Sequence, residues 1–132
     1  MTFNIELYFL FSDAFGYLLF STAKKKTKAF AKVRDKIGIP LATGEWFVTK
    51  WAFTELLARN LVDIVQPETT RLGGITELKK LAAMAEAQSV TVAPHDGSVG
   101  PIIEMANVHV LASIPNCFFW STKQMMCRGG WR

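Results

Sequence analysis

Cysteine is scarce: Cys117 and Cys127 are the only two in 132 residues, ten positions apart and with no histidine spaced to join them. They supply neither a disulfide framework nor a Cys/His zinc pattern, which excludes a stapled secreted scaffold and makes a reducing cytoplasm the expected compartment. Charge is sparse as well, at 20% of residues against 50% hydrophobic, which excludes a disordered tail. An unbroken apolar run is missing too. The Phe-, Leu- and Tyr-rich opening is interrupted by Glu6 and Asp13, the lysines follow it instead of preceding it, and no small-residue cleavage pattern comes after. Neither a membrane anchor nor a signal peptide is expected from such a segment. Low-complexity linkers are absent, and the length suits one core.

The formal net charge of +4 is unevenly placed. Residues 24–36 hold seven basic side chains against one acid, and residues 37–119 hold five against eight. The body of the chain is mildly acidic and the basic excess lies in the flanks, as on a solvated helix face. No nucleic-acid-binding motif accompanies the basic run, so nucleic acid is not an expected partner.

What is present is a repeated order of apolar stretch, polar tip and helix. Ala29, Phe30, Val33 and Ile37 fall at helical spacing before Gly38. Ile39 to Ala42 then lead to Thr43, Gly44 and Glu45, followed by a helix predicted over 49–59 with Phe53, Leu56 and Leu57 inside. The order returns as Leu61 to Val65, closing on Gln66-Pro67-Glu68, with Gly73-Gly74 opening a helix whose apolar face is Ile75, Leu78, Leu81, Ala82 and Ala85. It returns again as Val90 to Ala93, closing on Pro94-His95. Pro101 then stands at a first helical position, with Ile102, Ile103, Ala106 and Val110 inside.

The tips Glu45, Glu68 and His95 are 23 and 27 residues apart, the length of a strand, a helix and two short loops. Continuous β-branched runs such as 62–65 predict parallel strands buried on both faces. Parallel α/β sheets and barrels collect ligands at the carboxyl ends of their strands, so the three tips are expected to converge. Two carboxylates and an imidazole at one rim suit metal-assisted acid/base chemistry. For a single tip, a helix cap or loop anchor is the competing structural role. His109 reads as a packed or surface histidine.

The wording of the tips is more specific. IPLATGE (39–45), VDIVQPETTRLGGITELKKLAAMAEA (62–87) and VAPHDGSVGPI (92–102) resemble the enolase superfamily, in its mandelate racemase and muconate-lactonizing branch, and there the acid-sugar dehydratases such as galactonate dehydratase. The resemblance covers residues 28–119 and implies an α/β fold: a partial (β/α)8 TIM-type barrel of three to four βα units from the C-terminal half. It implies a Mg²⁺-dependent lyase or isomerase that removes the proton α to the carboxylate of a sugar acid through a metal-stabilised enolate. By the same resemblance Glu45 matches a metal-binding carboxylate and His95 the catalytic histidine. Glu68 stands where the family pairs an aspartate with that histidine, a carboxylate on one ring nitrogen fixing the tautomer and raising the basicity of the other. Arg71, Gly97 and Ser98 are candidate substrate contacts at the rim.

The chain also departs from the family. Glu68 is one methylene longer than the usual aspartate. The D-x-N and E-x-P segments that supply the other two metal carboxylates do not occur upstream of Lys28; Ser21 to Lys26 stand where the second is expected. The expectation is an incomplete site, inactive in this chain alone, with a non-catalytic α/β fragment that self-associates as the alternative. A homo-oligomer is expected in either case, because a partial barrel leaves strand edges uncovered. Residues 1–27 carry no family likeness, and 120–132 change composition abruptly. Back-translated with one extra base in front, Trp120 to Gly130 reads as a family-like ending with a glutamate at the place of Ser121, so the tail is a candidate frameshift product, testable on the encoding DNA.

Overall fold

The computed structural model describes residues 6–8, 11–12, 15–16, 18–21, 27–96, 100–118 and 121–122. The chain opens with four short strands, β1 (Glu6–Tyr8), β2 (Phe11–Ser12), β3 (Phe15–Gly16) and β4 (Leu18–Ser21). Helix α1 (Thr27–Arg34) follows, then β5 (Leu41–Thr43), a 3-10 turn at Lys50–Phe53 running into α2 (Thr54–Ala58), and β6 (Ile64–Val65). Next come α3 (Thr69–Leu72), α4 (Ile75–Glu86), β7 (Thr91–Val92), β8 (His95–Asp96), α5 (Pro101–Leu111) and β9 (Ser121–Thr122).

Strands β4, β5, β6 and β7 pair in parallel, each with its neighbour in chain order, and β1 adds antiparallel to β4. Ala42 is opposite Ile64, which is opposite Thr91. A parallel bridge from Val92 to Cys117 continues the series. Sequential order without reversal is the arrangement of a (β/α) barrel wall, whereas a doubly wound sheet changes direction at a switch point. The strands bury both faces, as their β-branched content requires. On the helix side Leu41, Val65 and Val92 join Phe30, Phe53 and Leu81 in the main core. On the other side Ala42, Ile64 and Ala93 form a second, small cluster.

The helical spacing of the sequence holds for Leu56 and Leu57 of α2 and for Leu78, Leu81, Ala82 and Ala85 of α4, all buried, whereas Ile75, the first residue of α4, is 51% exposed instead of facing the core. Three other details differ. Helix α1 stops at Arg34, well before Gly38, because Lys36 N–H bonds Val33 O and tightens the last turn. An unforeseen turn, α3, precedes α4: Gly73, at φ 111°, ends it in the left-handed region that a glycine enters without a Cβ penalty. Helix α5 is also rotated from the expected face. Asn107, Val110 and Leu111 are buried while Ile102 is 82% exposed, because the Thr69 hydroxyl donates to the Asn107 side-chain oxygen at 2.5 Å and holds that polar face inward. No helix among the described residues is long and apolar enough to cross a membrane.

The rim opposite the candidate site is pinned by Asp63. Its carboxylate takes both terminal nitrogens of Arg34 and the backbone N–H of Leu41, tying α1 to the starts of β5 and β6. Burial opposes ionisation, but the hydrogen bonds from Arg34 and Leu41 and the Arg34 charge outweigh it and hold the Asp63 carboxyl below its usual range. A lowered folded-state pKa contributes stability that is present above the unfolded value, near 4, and is lost as the pH falls through the folded value. Acid unfolding of Asp63→Asn is therefore expected to show a smaller loss of stability below about pH 4. At pH 7 the variant is expected to lie about 1–2 kcal/mol below wild type. Urea titrations at pH 3 and pH 7 check both points.

Candidate functional site

The carboxyl end of β5 hands the chain to Gly44, at φ 128°. Gly44 O accepts from Phe47 N at 3.0 Å, closing a turn with Glu45 and Trp46 at its tip. Only glycine fits, because a Cβ there would lie 2.5 Å from Cε1 of the buried Phe53 ring. The turn rides directly over the core and carries Glu45 onto the rim.

The ladder continues past β6, with Gln66 N donating to Thr43 O at 2.7 Å, and brings Pro67 and Glu68 to the same rim. His95 joins them because its N–H donates to Pro67 O at 2.9 Å. The imidazole then reaches across the β6 tip: His95 Nε2 lies 3.1 Å from Glu45 Oε2, with the histidine side chain 35% exposed and the glutamate 12%. Ser121 is the backbone register partner of His95 on β9.

Glu68 takes a different direction. One carboxylate oxygen accepts from the Thr70 hydroxyl and the other from Arg71 Nε, within the first turn of α3. The sequence reading expected Glu68 to orient His95; in the structure Glu45 is the carboxylate beside that ring. The physical reason is local, since Thr70 and Arg71 are two and three residues ahead of Glu68 on a helical turn and the longer side chain folds back onto them. Arg71 in turn stacks on Trp46, its Cζ 4.5 Å from the ring centroid. Glu45 and His95 thus form one pair, and Glu68, Arg71 and Trp46 form a second group beside it. Trp46 was missed in the sequence, although an aromatic residue directly after a rim glutamate was the available signal. Gly97 and Ser98 lie outside the described residues. His109 is exposed on α5.

Mg²⁺ binds through several oxygens in near-octahedral geometry. Among the described residues there is no group of three or more His, Cys, Asp or Glu side chains that could hold a metal ion. Glu45 is a single carboxylate with histidine beside it, and Glu68 is turned to Arg71. These residues do not by themselves fit the ion.

The enolase C-terminal domain-like family matches residues 21–126, most of the chain. The chain belongs to this family. Among its enolase-family relatives, a D-galactonate dehydratase family member from Streptomyces bingchenggensis is 35% identical over 96 residues, 72% of this chain and 23% of the relative. A mandelate racemase/muconate lactonizing enzyme-like protein from Roseovarius sp. TM1035 is 42% identical, with a TM-score of 0.70 over 75% of this chain and 25% of its own. An enolase from Pantoea ananatis, solved with bound D-gluconate and Mg, is 31% identical, with a TM-score of 0.71 over 75% of this chain and 24% of its own. The chain thus spans about a quarter of the length of these relatives. The strand order described above is an arc of the enolase-superfamily TIM-type barrel, and the Glu45–His95 pair lies at the carboxyl-end rim of that arc.

Proposed function

We propose that this chain carries the acid/base portion of a site for acid-sugar dehydration or racemisation, in which a proton is taken from the carbon α to a carboxylate. The observation that supports this reading is the 3.1 Å approach of Glu45 Oε2 to His95 Nε2 at the strand-end rim. With Nε2–H directed at the carboxylate, neutral imidazole keeps its lone pair on Nδ1, which becomes the proton-accepting atom. Glu45 fixes the ring, and it stabilises the imidazolium that forms when the proton arrives. Arg71 is held by Trp46 and Glu68 beside the pair and offers its terminal nitrogens to an anionic substrate. In the family a bound Mg²⁺ supplies charge stabilisation for an enolate. The described residues do not complete such a site, so the ion's remaining oxygens would come from outside them.

The test incubates the chain with Mg²⁺ and a panel of sugar acids in deuterium oxide and follows the α-proton by NMR. Sugar-acid binding is expected; the chain alone, without the two other metal carboxylates, is expected to exchange only slowly, and His95→Ala is expected to lower that exchange by about 10²–10⁴-fold. A chain that binds no sugar acid and exchanges no α-proton overturns the reading.

A second reading, a non-catalytic fragment that self-associates, is favoured by one observation. Val48, Trp51, Ile102 and Met105 are 61, 67, 82 and 55% exposed, large apolar side chains that a second copy would cover. Under it, light scattering is expected to show an oligomer that Trp51→Glu or Ile102→Glu shifts toward the monomer.

A further inference from the structure

Gln66 is 4% exposed, and its side-chain oxygen is buried without a hydrogen-bond partner. Its amide nitrogen is not among the buried unpaired atoms, so the orphan is the oxygen alone. A buried amide oxygen left unpaired costs about 1–3 kcal/mol, and in a native structure such a group calls for an explanation. The other buried orphan acceptor, Asn116 Oδ1, has one: the Asn116 amide nitrogen donates to both Ala82 O and Val90 O, each at 3.0 Å, and staples α4 to β7. Gln66 staples nothing.

Its position gives the reason. Alternation along β6 puts Val65 in the helix-side core and Ile64 in the opposite cluster with Ala42 and Ala93. Gln66, two residues after Ile64, falls on Ile64's face. Its backbone is bonded to Thr43, two residues before Glu45, and the next residue, Pro67, holds the N–H of His95. The amide is therefore one pleat below Glu68, on the strand over which Glu45 and His95 meet. A carboxylate would satisfy only the amide's donor. A hydroxyl both donates and accepts, so it satisfies either end of the amide, whichever way the group is turned.

Resting on the acid-sugar reading, we propose that Gln66 is a specificity residue that binds a hydroxyl of the ligand, making the site selective for hydroxylated carboxylates over unsubstituted ones. A site built to pair a hydroxyl discriminates against analogues lacking it, because its polar group is then left buried and unpaired.

The experiment measures binding of gluconate and of hexanoate, two six-carbon acids with and without hydroxyls, to the full chain in the presence of Mg²⁺. It compares wild type with Gln66→Met, which keeps the shape and removes the amide, and with Gln66→Leu. Gluconate binding is expected to weaken by about tenfold or more in Gln66→Met, the value of one net hydrogen bond, while hexanoate binding holds. Without ligand the variant is expected to melt about 3–5 °C higher, since the orphan group is gone. Equal losses for both acids, an unchanged gluconate affinity, or unfolding of both variants overturns the proposal. Wild type that binds neither acid overturns the acid-sugar reading, and this inference falls with it.

Discussion

Gly44→Ala is expected to destabilise the chain by about 2–5 kcal/mol. Two costs add: a non-glycine residue in the left-handed region, about 1–2 kcal/mol, and overpacking against a filled core, about 1–3 kcal/mol. The new methyl would stand 2.5 Å from Cε1 and 2.9 Å from Cζ of Phe53, so either the ring or the turn must move. Because Glu45 is the next residue, the shift would also separate it from His95. The chain has two histidines, and the second, His109, is exposed on another helix. An NMR spectrum of the imidazoles therefore has an internal reference: the His95 resonance is expected to move and that of His109 to stay. A Gly44→Ala protein with wild-type stability and an unmoved His95 signal would show that the turn is not set by this contact.

Phe53→Ala is expected to cost about 3–5 kcal/mol, a large share of the 5–15 kcal/mol typical of a domain. The ring is fully buried and stands edge-on to Phe47, centroids 5.1 Å apart and planes at 64°. It is also the floor beneath Gly44. In a chain already carrying Phe53→Ala, the Gly44→Ala methyl enters vacated space and its cost should fall to the backbone share, about 1–2 kcal/mol. The double variant is thus expected to lie about 1–3 kcal/mol above the sum of the singles, a coupling typical of residues in contact. Denaturant titration of the four proteins measures it, and strict additivity would refute the steric account.

Much of this arrangement could be read from the residues. The runs around Ile64–Val65 and Thr91–Val92 are β-branched because both faces of each strand are covered, and that pattern is visible without coordinates. The wording of the tips fixed the family, and spacing alone put Glu45, Glu68 and His95 at strand ends. What the sequence could not reveal was which carboxylate meets the imidazole. The choice depends on a side-chain torsion, on whether Glu68 folds back onto Thr70 and Arg71, and on the reach of Glu45 over the β6 tip; no periodicity encodes these. The rotation of α5 escaped for a related reason. Ile102 and Ile103 made the more apolar face, but the bond between Thr69 and Asn107 is a long-range polar contact that overrides the hydrophobic pattern.

The register of the wall also bears on how the chain assembles. Ala42 meets Ile64 and Ile64 meets Thr91, partners 22 and 27 residues apart. Loop-closure entropy grows only with the logarithm of separation, so the two pairings differ by about 0.2 kcal/mol. Neither is kinetically privileged by chain length. The sequence of events during folding is left to side-chain burial, which favours the crossover containing α4, the longest helix among the described residues, with Leu78 and Leu81 wholly out of water.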